Sequence, residues 1–572
     1  MASVADNRRR ARLEAEDGTI TKHWNDRVRV ALVYPNHYAV GMANLGFQTV
    51  YQRLNALDHV VCERAFLPEP EDGEAPLRSL ESGRPLHDFD CVAFSLSFEN
   101  DYPNVLTILK KAALPLRSAL RGFSLPLILA GGVAVFLNPE PLSPFFDCFL
   151  VGEAETALGP FFEHFDPRRD RRAMLLELAR EVPGVYVPRF YRPEYHADGT
   201  LESFAPIESV PPKIERVYAD IAAFATNSTV VTPESGFDKS YLVEVSRGCP
   251  HGCRFCAAGF LYRPPRTRSL TKLLMAMETG AARARKIGLV GTAVSDLPDL
   301  KALCRRGKEM DLQLSFSSLR ADALDDALIA ALKAGRLKTA TIAPEAGSDR
   351  MRRVINKGLA EEDILSAAEH LVAGGIPNLK VYFMVGLPTE REEDIQAIVA
   401  LVKRIKGLFL GASQARGRMG TITVSVAAFV PKPFTPFQWT AMDHLATLKR
   451  KIKMVKSGLK TVANVRVHAD QPRWANLQAL FSRGDRRVAH LLEAAQANQG
   501  NWPQTFKAAA IDPDFFITRE RERQERLPWD FIDHGLDKTF LWNEYQRAIQ
   551  AKPTKACPMD PDHCHICGVC RP

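Results

Sequence analysis

The chain has 572 residues, 75 Lys plus Arg against 67 Asp plus Glu for a net charge of +8, and is 46% hydrophobic and 25% charged. At about 150 residues per domain it is long enough for three or four domains with full cores, so no covalent staples are needed. It lacks an apolar run of about 18 residues and an apolar leader, so neither a spanning helix nor a secretory signal is expected, and a cytoplasmic location is.

Residues 1–25 read as a charged arm or short helix. From 26 to 165, the strand-like runs Val28–Tyr34, Val60–Phe66, Cys91–Ser97, Leu125–Ala130 and Cys148–Val151 alternate with helical stretches such as Met42–Leu57 and Asn104–Arg121. This βαβ rhythm predicts a parallel, doubly wound, Rossmann-like sheet. Gly131-Gly132 directly follows a strand and so stands at the C-terminal sheet edge, where such folds bind ligands. Residues 166–235, rich in Pro and charge, read as a linker with a small hairpin.

A second αβ series occupies 236–440. Its strands are Tyr241–Val245, Ile287–Val290, Leu312–Phe316, Thr339–Ala343, Leu379–Val385 and Ile422–Phe429. Six βα units are too few for a closed eight-unit barrel and suit an open, partial (β/α)6 barrel. Residues 441–556 read as helical and charged, with Arg519–Arg526 as a solvated helix face, and 557–572 as a short Cys-rich end.

The eleven cysteines are odd in number and clustered, which argues against a disulfide framework and for metal thiolates in a reducing compartment. Cys62, Cys91, Cys148 and Cys304 stand singly in apolar surroundings and read as packing residues. Cys249, Cys253 and Cys256 follow a strand with C-x3-C-x2-C spacing. Three thiolates hold three corners of a cubane iron–sulfur cluster and leave the fourth iron open. Gly248 and Gly252 let the backbone curl around it. The competing readings are a structural zinc site and incidental cysteines, but zinc ordinarily takes four ligands.

This motif resembles the cluster signature of the radical S-adenosylmethionine (SAM) superfamily, with Phe255 at its aromatic position. The resemblance implies a [4Fe–4S] cluster at Cys249, Cys253 and Cys256 with SAM chelated to the open iron. It further implies reductive cleavage of SAM to a 5′-deoxyadenosyl radical, fed by an electron donor such as flavodoxin or ferredoxin. Phe255 would lie near the adenine. Thr341-Ile-Ala-Pro-Glu345-Ala-Gly-Ser348 is similar to a fourth-strand SAM-contacting segment, with Glu345 facing the ribose or amino group and Ser348 nearby. Gly386-Leu-Pro-Thr-Glu390 is similar to a fifth-strand turn of the pocket. The usual Gly-Gly-Glu after the second strand is replaced by Gly291-Thr292-Ala293 with Ser295-Asp296. Glu345 also reads as a salt-bridged strand-end carboxylate, and Gly386-Leu-Pro as a plain turn.

The N-terminal sheet, with Ser95 ending one strand and Gly131 and Gly132 another, resembles the cobalamin-binding domain found in one branch of that superfamily. The Asp-x-His-x-x-Gly signature of a lower cobalt ligand is absent, His37 being near but lacking its Asp. Cobalamin without a lower His, a fold that has lost its cofactor, and another ligand all stay open. At the C-terminus Cys557, Cys564, Cys567 and Cys570 can close a four-coordinate site, holding a second iron–sulfur cluster or zinc, with His563 and His565 beside it.

The leading expectation is therefore a radical SAM enzyme, with methyl transfer to an unactivated position if cobalamin is bound. A second is modification of RNA or a ribosome-associated protein, motivated by the basic runs Arg263–Arg268 and Lys449–Lys453. A third is an iron–sulfur electron carrier or sensor without SAM turnover.

Overall fold

The computed structural model describes residues 4–73, 75–317, 319–335, 337–414, 420–559 and 564–570. The chain forms two compact units. The first comprises residues up to 240 together with 480–516 and 524–534; the second comprises 241–479, 517–523 and 535 onward. Among the described residues no helix is long and apolar enough to cross a membrane.

In the first unit, strands β1 (Val28–Tyr34), β2 (Val60–Phe66), β3 (Cys91–Ser95), β4 (Leu127–Gly131), β5 (Cys148–Leu150) and β6 (Val185–Tyr186) form one sheet in the order β2-β1-β3-β4-β5-β6. The first five strands pair in parallel and β6 is an antiparallel edge. β2 and β3 are buried along their whole length; β3 reads as a continuous apolar run, while β2 buries Glu63 and Arg64, the latter paired with Glu16 and Glu81. Cys62, Cys91 and Cys148 are buried within the sheet, as expected of packing residues.

The strand order reverses between β1 and β3, and the loops leaving those strands carry polar side chains that satisfy one another. Asn36 Nδ2 donates to Asp101 Oδ1 at 2.8 Å, and Asn44 Nδ2 to Ser97 Oγ at 3.1 Å. The N-terminal arm takes the short-helix alternative. It forms a helix, Val4–Ala15, whose Arg12 pairs with Glu69 and Glu234 and whose Arg8 pairs with Asp72. The expected linker contains the hairpin β7 (Tyr191–Tyr195) and β8 (Leu201–Pro206), and Phe204 of β8 stacks on Phe531 at 4.6 Å. The short strand β9 (Ile214–Glu215) pairs with Ile532–Asp533.

In the second unit, β10 (Ser240–Glu244) leads into a two-stranded ribbon, β11 (Ser246–Arg247) with β12 (Arg266–Thr267). β13 (Lys286–Val290) and β14 (Gln313–Phe316) complete a three-stranded sheet with β10. β15 (Thr339–Glu345), β16 (Asn378–Val385), β17 (Ile422–Ala428) and β18 (Val465–Ala469) form a four-stranded parallel sheet in that order. Six of these strands coincide with those expected from the sequence. β18 was not expected, and it extends the series beyond β17.

The stretch 441–556, read as one helical region, is divided. It supplies β18 to the second unit and the helices Val488–Ala497 and Trp502–Lys507 to the first. Arg519–Arg526 is not a helix face but irregular chain. Its backbone is claimed by tertiary partners: the Arg521 N–H donates to the Trp439 carbonyl, and the Arg521 side chain is buried. The helix Lys538–Ile549 buries Leu541 and Tyr545 against Trp439, Phe437 and Phe260.

Candidate functional site

The β11–β12 ribbon fixes the two ends of the loop that carries the first three cysteines. At its root, Glu244 accepts hydrogen bonds from Arg247 at 2.9–3.0 Å and from Arg268. Gly248 has φ +85°, and a Cβ there would stand 2.4 Å from the Tyr262 carbonyl oxygen, so the loop closes only with glycine at this point. Thr292, just after β13, donates its hydroxyl to the Gly248 carbonyl. His251 Nε2 donates to Asp296 Oδ2 at 2.5 Å. The segment that replaces Gly-Gly-Glu thus grips the cysteine loop through Thr292 and Asp296.

Cys253 is buried and Cys249 and Cys256 are half-buried. Burial pushes the Cys249 thiol up to about 11 and the Cys253 thiol up to about 12, and also raises Cys256. The thiols raise one another further. Opposing this are backbone N–H groups, from His251 to Cys249 and from Ala258 and Gly259 to Cys256. Lys357 favours the thiolates of Cys253 and Cys256, and Arg320 those of Cys249 and Cys253. Without metal these thiols hold their protons at neutral pH; a bound metal supplies the positive charge that releases them. Among the described residues no three Cys, His, Asp or Glu side chains converge on a single ion. In a cubane each thiolate binds a different iron. Three mutually coupled thiols on a tight loop, flanked by two cations, form a donor set suited to such a cluster.

Arg254 lies between two of the cysteines and turns away from them. It is fully buried and donates to the carbonyls of Arg353, Val354 and Lys552, to Thr554 Oγ1 and to Glu544. Phe255 packs against the apolar cluster around Phe260 and Trp439.

Glu345 ends β15 with φ +65°, and its Oε1 is 3.3 Å from Lys357 Nζ; burial raises its pKa and Lys357 opposes the rise. The Gly291 N–H donates to Ser317 Oγ at 3.1 Å. The Ser348 hydroxyl caps the helix Asp349–Val354, accepting from the Met351 N–H and donating to Asp394 Oδ1 at 2.6 Å. Gly386, at φ +85°, donates its N–H to Glu390 Oε2 at 2.7 Å, and Glu390 is held by Lys451 at 2.8 Å.

In the first unit the glycine turn serves packing. The Leu96 N–H donates to the Gly131 carbonyl and the Ala134 N–H to the Leu96 carbonyl. A Cβ on Gly132 would stand 2.5 Å from the Leu96 oxygen. Ser95 is buried in the register pair opposite Gly131. The turn is therefore tight against the Leu96 backbone, while Gly131 and Gly132 themselves stay partly exposed at the sheet edge. His37 stands 3.1 Å from Glu69.

At the C-terminus Cys564 and Cys567 are buried and Cys557 and Cys570 half-buried. Cys570 is raised by burial and then by Cys567, Cys564 and Cys557, which places the four thiols in one neighbourhood. Gly568 turns the chain between two of them with φ +91°. His565 is exposed, and His563 lies outside the described residues.

The basic run Arg263–Arg268 is not a surface patch. Arg263 and Arg268 are buried, and Arg268 is paired with Glu244. In Lys449–Lys453, Lys451 is buried against Glu390 and Asp443, while Lys449, Arg450 and Lys453 stay exposed. Sequence reasoning missed Arg254, Asn356, Arg320 and the His251–Asp296 pair.

A parallel-stranded α/β unit that sets three coupled cysteines on a glycine-turned loop after its first strand is the framework of an iron–sulfur enzyme. The chain belongs to the radical SAM superfamily. Residues 243–402 match the family model "Radical SAM superfamily" and residues 46–188 match "Radical SAM proteins, N-terminal". The chain is 31% identical over 472 residues to uncharacterized protein MJ0966 of Methanocaldococcus jannaschii, covering 81% of this chain and 90% of that one. Among solved structures it is similar to Streptococcus suis SuiB bound to S-adenosylmethionine, at 14% identity and TM-score 0.30, covering 41% of this chain and 51% of that one. It is also similar to the radical SAM enzyme coproporphyrinogen III oxidase (HemN) from Escherichia coli, at 15% identity and TM-score 0.24, covering 38% and 46%. The chain thus spans about half the length of these two structures.

Proposed function

We propose that the protein abstracts a hydrogen atom from its substrate by radical SAM chemistry without cobalamin, using a [4Fe–4S] cluster held by Cys249, Cys253 and Cys256. The reading rests on the three coupled thiols of the strand-exit loop, flanked by Lys357 and Arg320. When bound, the cluster supplies the electron that splits the sulfonium bond of SAM and yields methionine and a 5′-deoxyadenosyl radical.

The chain's own residues do three things. Thr292 and Asp296 anchor the cysteine loop to the β13 exit. Lys357 and Arg320 offset the negative charge of the thiolates. Glu345, with its left-handed backbone at the end of β15, brings a carboxylate held by Lys357 toward Cys256 and to the place proposed for the SAM ribose or amino group. Gly291, Thr292 and Gly386 shape the strand ends around that pocket, and the four strand ends 244, 290, 345 and 385 belong to the open barrel of this reading. Cobalamin-dependent methyl transfer is disfavoured by the absence of the Asp-x-His-x-x-Gly signature, and RNA modification by the burial of Arg263 and Arg268. Because no three donor side chains among the described residues converge on a single ion, Cys557, Cys564, Cys567 and Cys570 are proposed to hold a second iron–sulfur cluster.

The test is anaerobic reconstitution with iron and sulfide, then dithionite and SAM. Formation of 5′-deoxyadenosine by the wild type, and none by Cys249→Ala, Cys253→Ala or Cys256→Ala, is expected. A fully loaded cluster that yields no 5′-deoxyadenosine overturns the reading. Cobalt retained in stoichiometric amount after anaerobic purification overturns its cobalamin-free part.

A further inference from the structure

The C-terminal thiols lie against the loop of the first three cysteines. The Cys557 N–H donates to the carbonyl of Pro250, the residue after Cys249, at 2.7 Å. Asn356 bridges the two segments: its Nδ2 donates to the Gly252 carbonyl at 3.1 Å, and its Oδ1 accepts from the Thr554 N–H at 2.9 Å. Arg254 ties the loop to the same strap through the Lys552 carbonyl at 2.7 Å and Thr554 Oγ1 at 3.0 Å. Thr554 in turn donates to Glu544, which pairs with Arg254 at 3.1 Å. Every residue on the loop side of these bonds is a cluster-loop neighbour, and every residue on the other side lies within about a dozen positions of a C-terminal cysteine.

Behind the strap is a cavity of about 90 Å³ lined by Gly252, Arg263, Phe540, Cys557, Cys564 and Cys567. Arg263 is buried, with its guanidinium 4.8 Å from the Phe260 ring centre and 5.4 Å from that of Phe540. An iron–sulfur cluster bound by four thiolates is net anionic, and a buried guanidinium beside it lowers the cost of placing that charge inside the protein.

The C-terminal cysteines stand in a short, polar stretch of sequence, and a cluster held by four thiolates supplies ordering energy directly. We propose that metal binding at Cys557, Cys564, Cys567 and Cys570 locks the strap 552–557 onto the cysteine loop, so that the C-terminal metal governs how firmly the radical cluster is held. The proposal rests on the second-metal reading above and adds a role to it. The strap acts on the cluster as an outer shell does on a metal site: it orients the ligand-bearing backbone without touching metal. Asn356 and Arg254 are thus positioning residues.

The experiment uses reconstituted full-length protein. Zinc and iron per chain report the second site. The part of the reduced cluster's EPR signal that shifts on adding SAM reports the first site alone, and its decay is followed in the presence of a ferrous chelator. For Cys564→Ser/Cys567→Ser, loss of the second-site metal and decay about tenfold faster than wild type are expected. For Asn356→Ala and Thr554→Val, the second-site metal is expected to stay while the decay accelerates. If the double cysteine variant keeps the wild-type metal content, the second-metal reading fails and takes the clamp with it. If it loses that metal, or if Asn356→Ala remains fully loaded, and the decay still matches wild type, the clamp alone is overturned. Circular dichroism of each variant separates a loosened loop from a failure to fold.

Discussion

Gly248 shows how little freedom the cysteine loop has. The residue sits one position before Cys249 in the left-handed region, and a methyl group there would overlap the Tyr262 carbonyl. Gly248→Ala must therefore move one of two backbone segments, and strain of about 1–3 kcal/mol is expected to appear as lost cluster loading before lost fold. Iron per chain after reconstitution, compared with the circular dichroism signal, checks this. Ser348 leads to the opposite expectation. Its hydroxyl is committed as a helix cap and to Asp394, so Ser348→Ala should cost about 1 kcal/mol of stability and leave SAM affinity unchanged. Urea unfolding and SAM titration measure the two effects, and a large drop in SAM affinity would restore the contact expected from the sequence. The cysteine ligands were legible because their spacing is local. Arg254 was not, because its partner Glu544 lies 290 positions away. A glycine pair after a strand looks alike in sequence whether the close approach is by a ligand or by neighbouring backbone, and at Gly132 the neighbouring Leu96 backbone accounts for the glycine.

At the scale of elements, the turn after β16 is held from outside by the helix Leu445–Leu459. Lys451 on that helix reaches Glu390 at 2.8 Å and Asp443 at 2.7 Å, while Glu390 closes the turn on the Gly386 N–H. Burial raises the Glu390 pKa and Lys451 opposes it; the carboxylate side chain is only 3% exposed. Lys451→Met leaves a buried carboxylate without its cation, and a loss of about 3–5 kcal/mol is expected. Adding Glu390→Gln should recover part of it, because the uncompensated charge is then gone. Urea midpoints of the single and double variants test the coupling, and strictly additive losses would show that the pair does not act together. The other elements were legible in proportion to their hydrophobic pattern. β16 and β17 alternate strongly and were found at nearly the right bounds. β18 was missed because Val465-Arg-Val-His-Ala is short, half-exposed and set among helical sequence. Arg519–Arg526 has the charge pattern of a helix face, but its Arg521 N–H is taken by the Trp439 carbonyl, distant in sequence.

At the scale of the whole molecule, the division into two units was only partly legible. The first unit recruits 480–516 through long-range bonds, such as Asn138 Nδ2 to the Gly484 carbonyl, 346 positions apart, which leave no local trace in composition. This unit buries two titrating groups whose effects on stability oppose each other. His534 donates Nε2–H to the Phe136 carbonyl at 2.9 Å, and burial, aided by Arg216, lowers its pKa to about 3. Unfolded, it titrates near 6.5, so the unfolded chain binds the extra proton between those values. Its contribution therefore falls as pH drops below about 6.5, by about 2 kcal/mol from pH 7 to 5. Asp101 behaves in reverse. Burial raises its pKa to about 6, so the folded state takes up the proton first and stability rises as pH falls from about 6 toward the unfolded value near 4. That recovers about 1 kcal/mol by pH 5. For these two groups together the wild type should lose only about 1 kcal/mol over this range. Asp101→Asn should expose the full His534 slope and lose about 2 kcal/mol. His534→Gln, which keeps a donor for the Phe136 carbonyl, should instead gain about 1 kcal/mol relative to its own stability at pH 7. Every other carboxylate is common to all three proteins, so the differences between their urea unfolding profiles at pH 7, 6 and 5 isolate these two residues. Parallel profiles would mean that neither group is held in the protonation state that its burial requires.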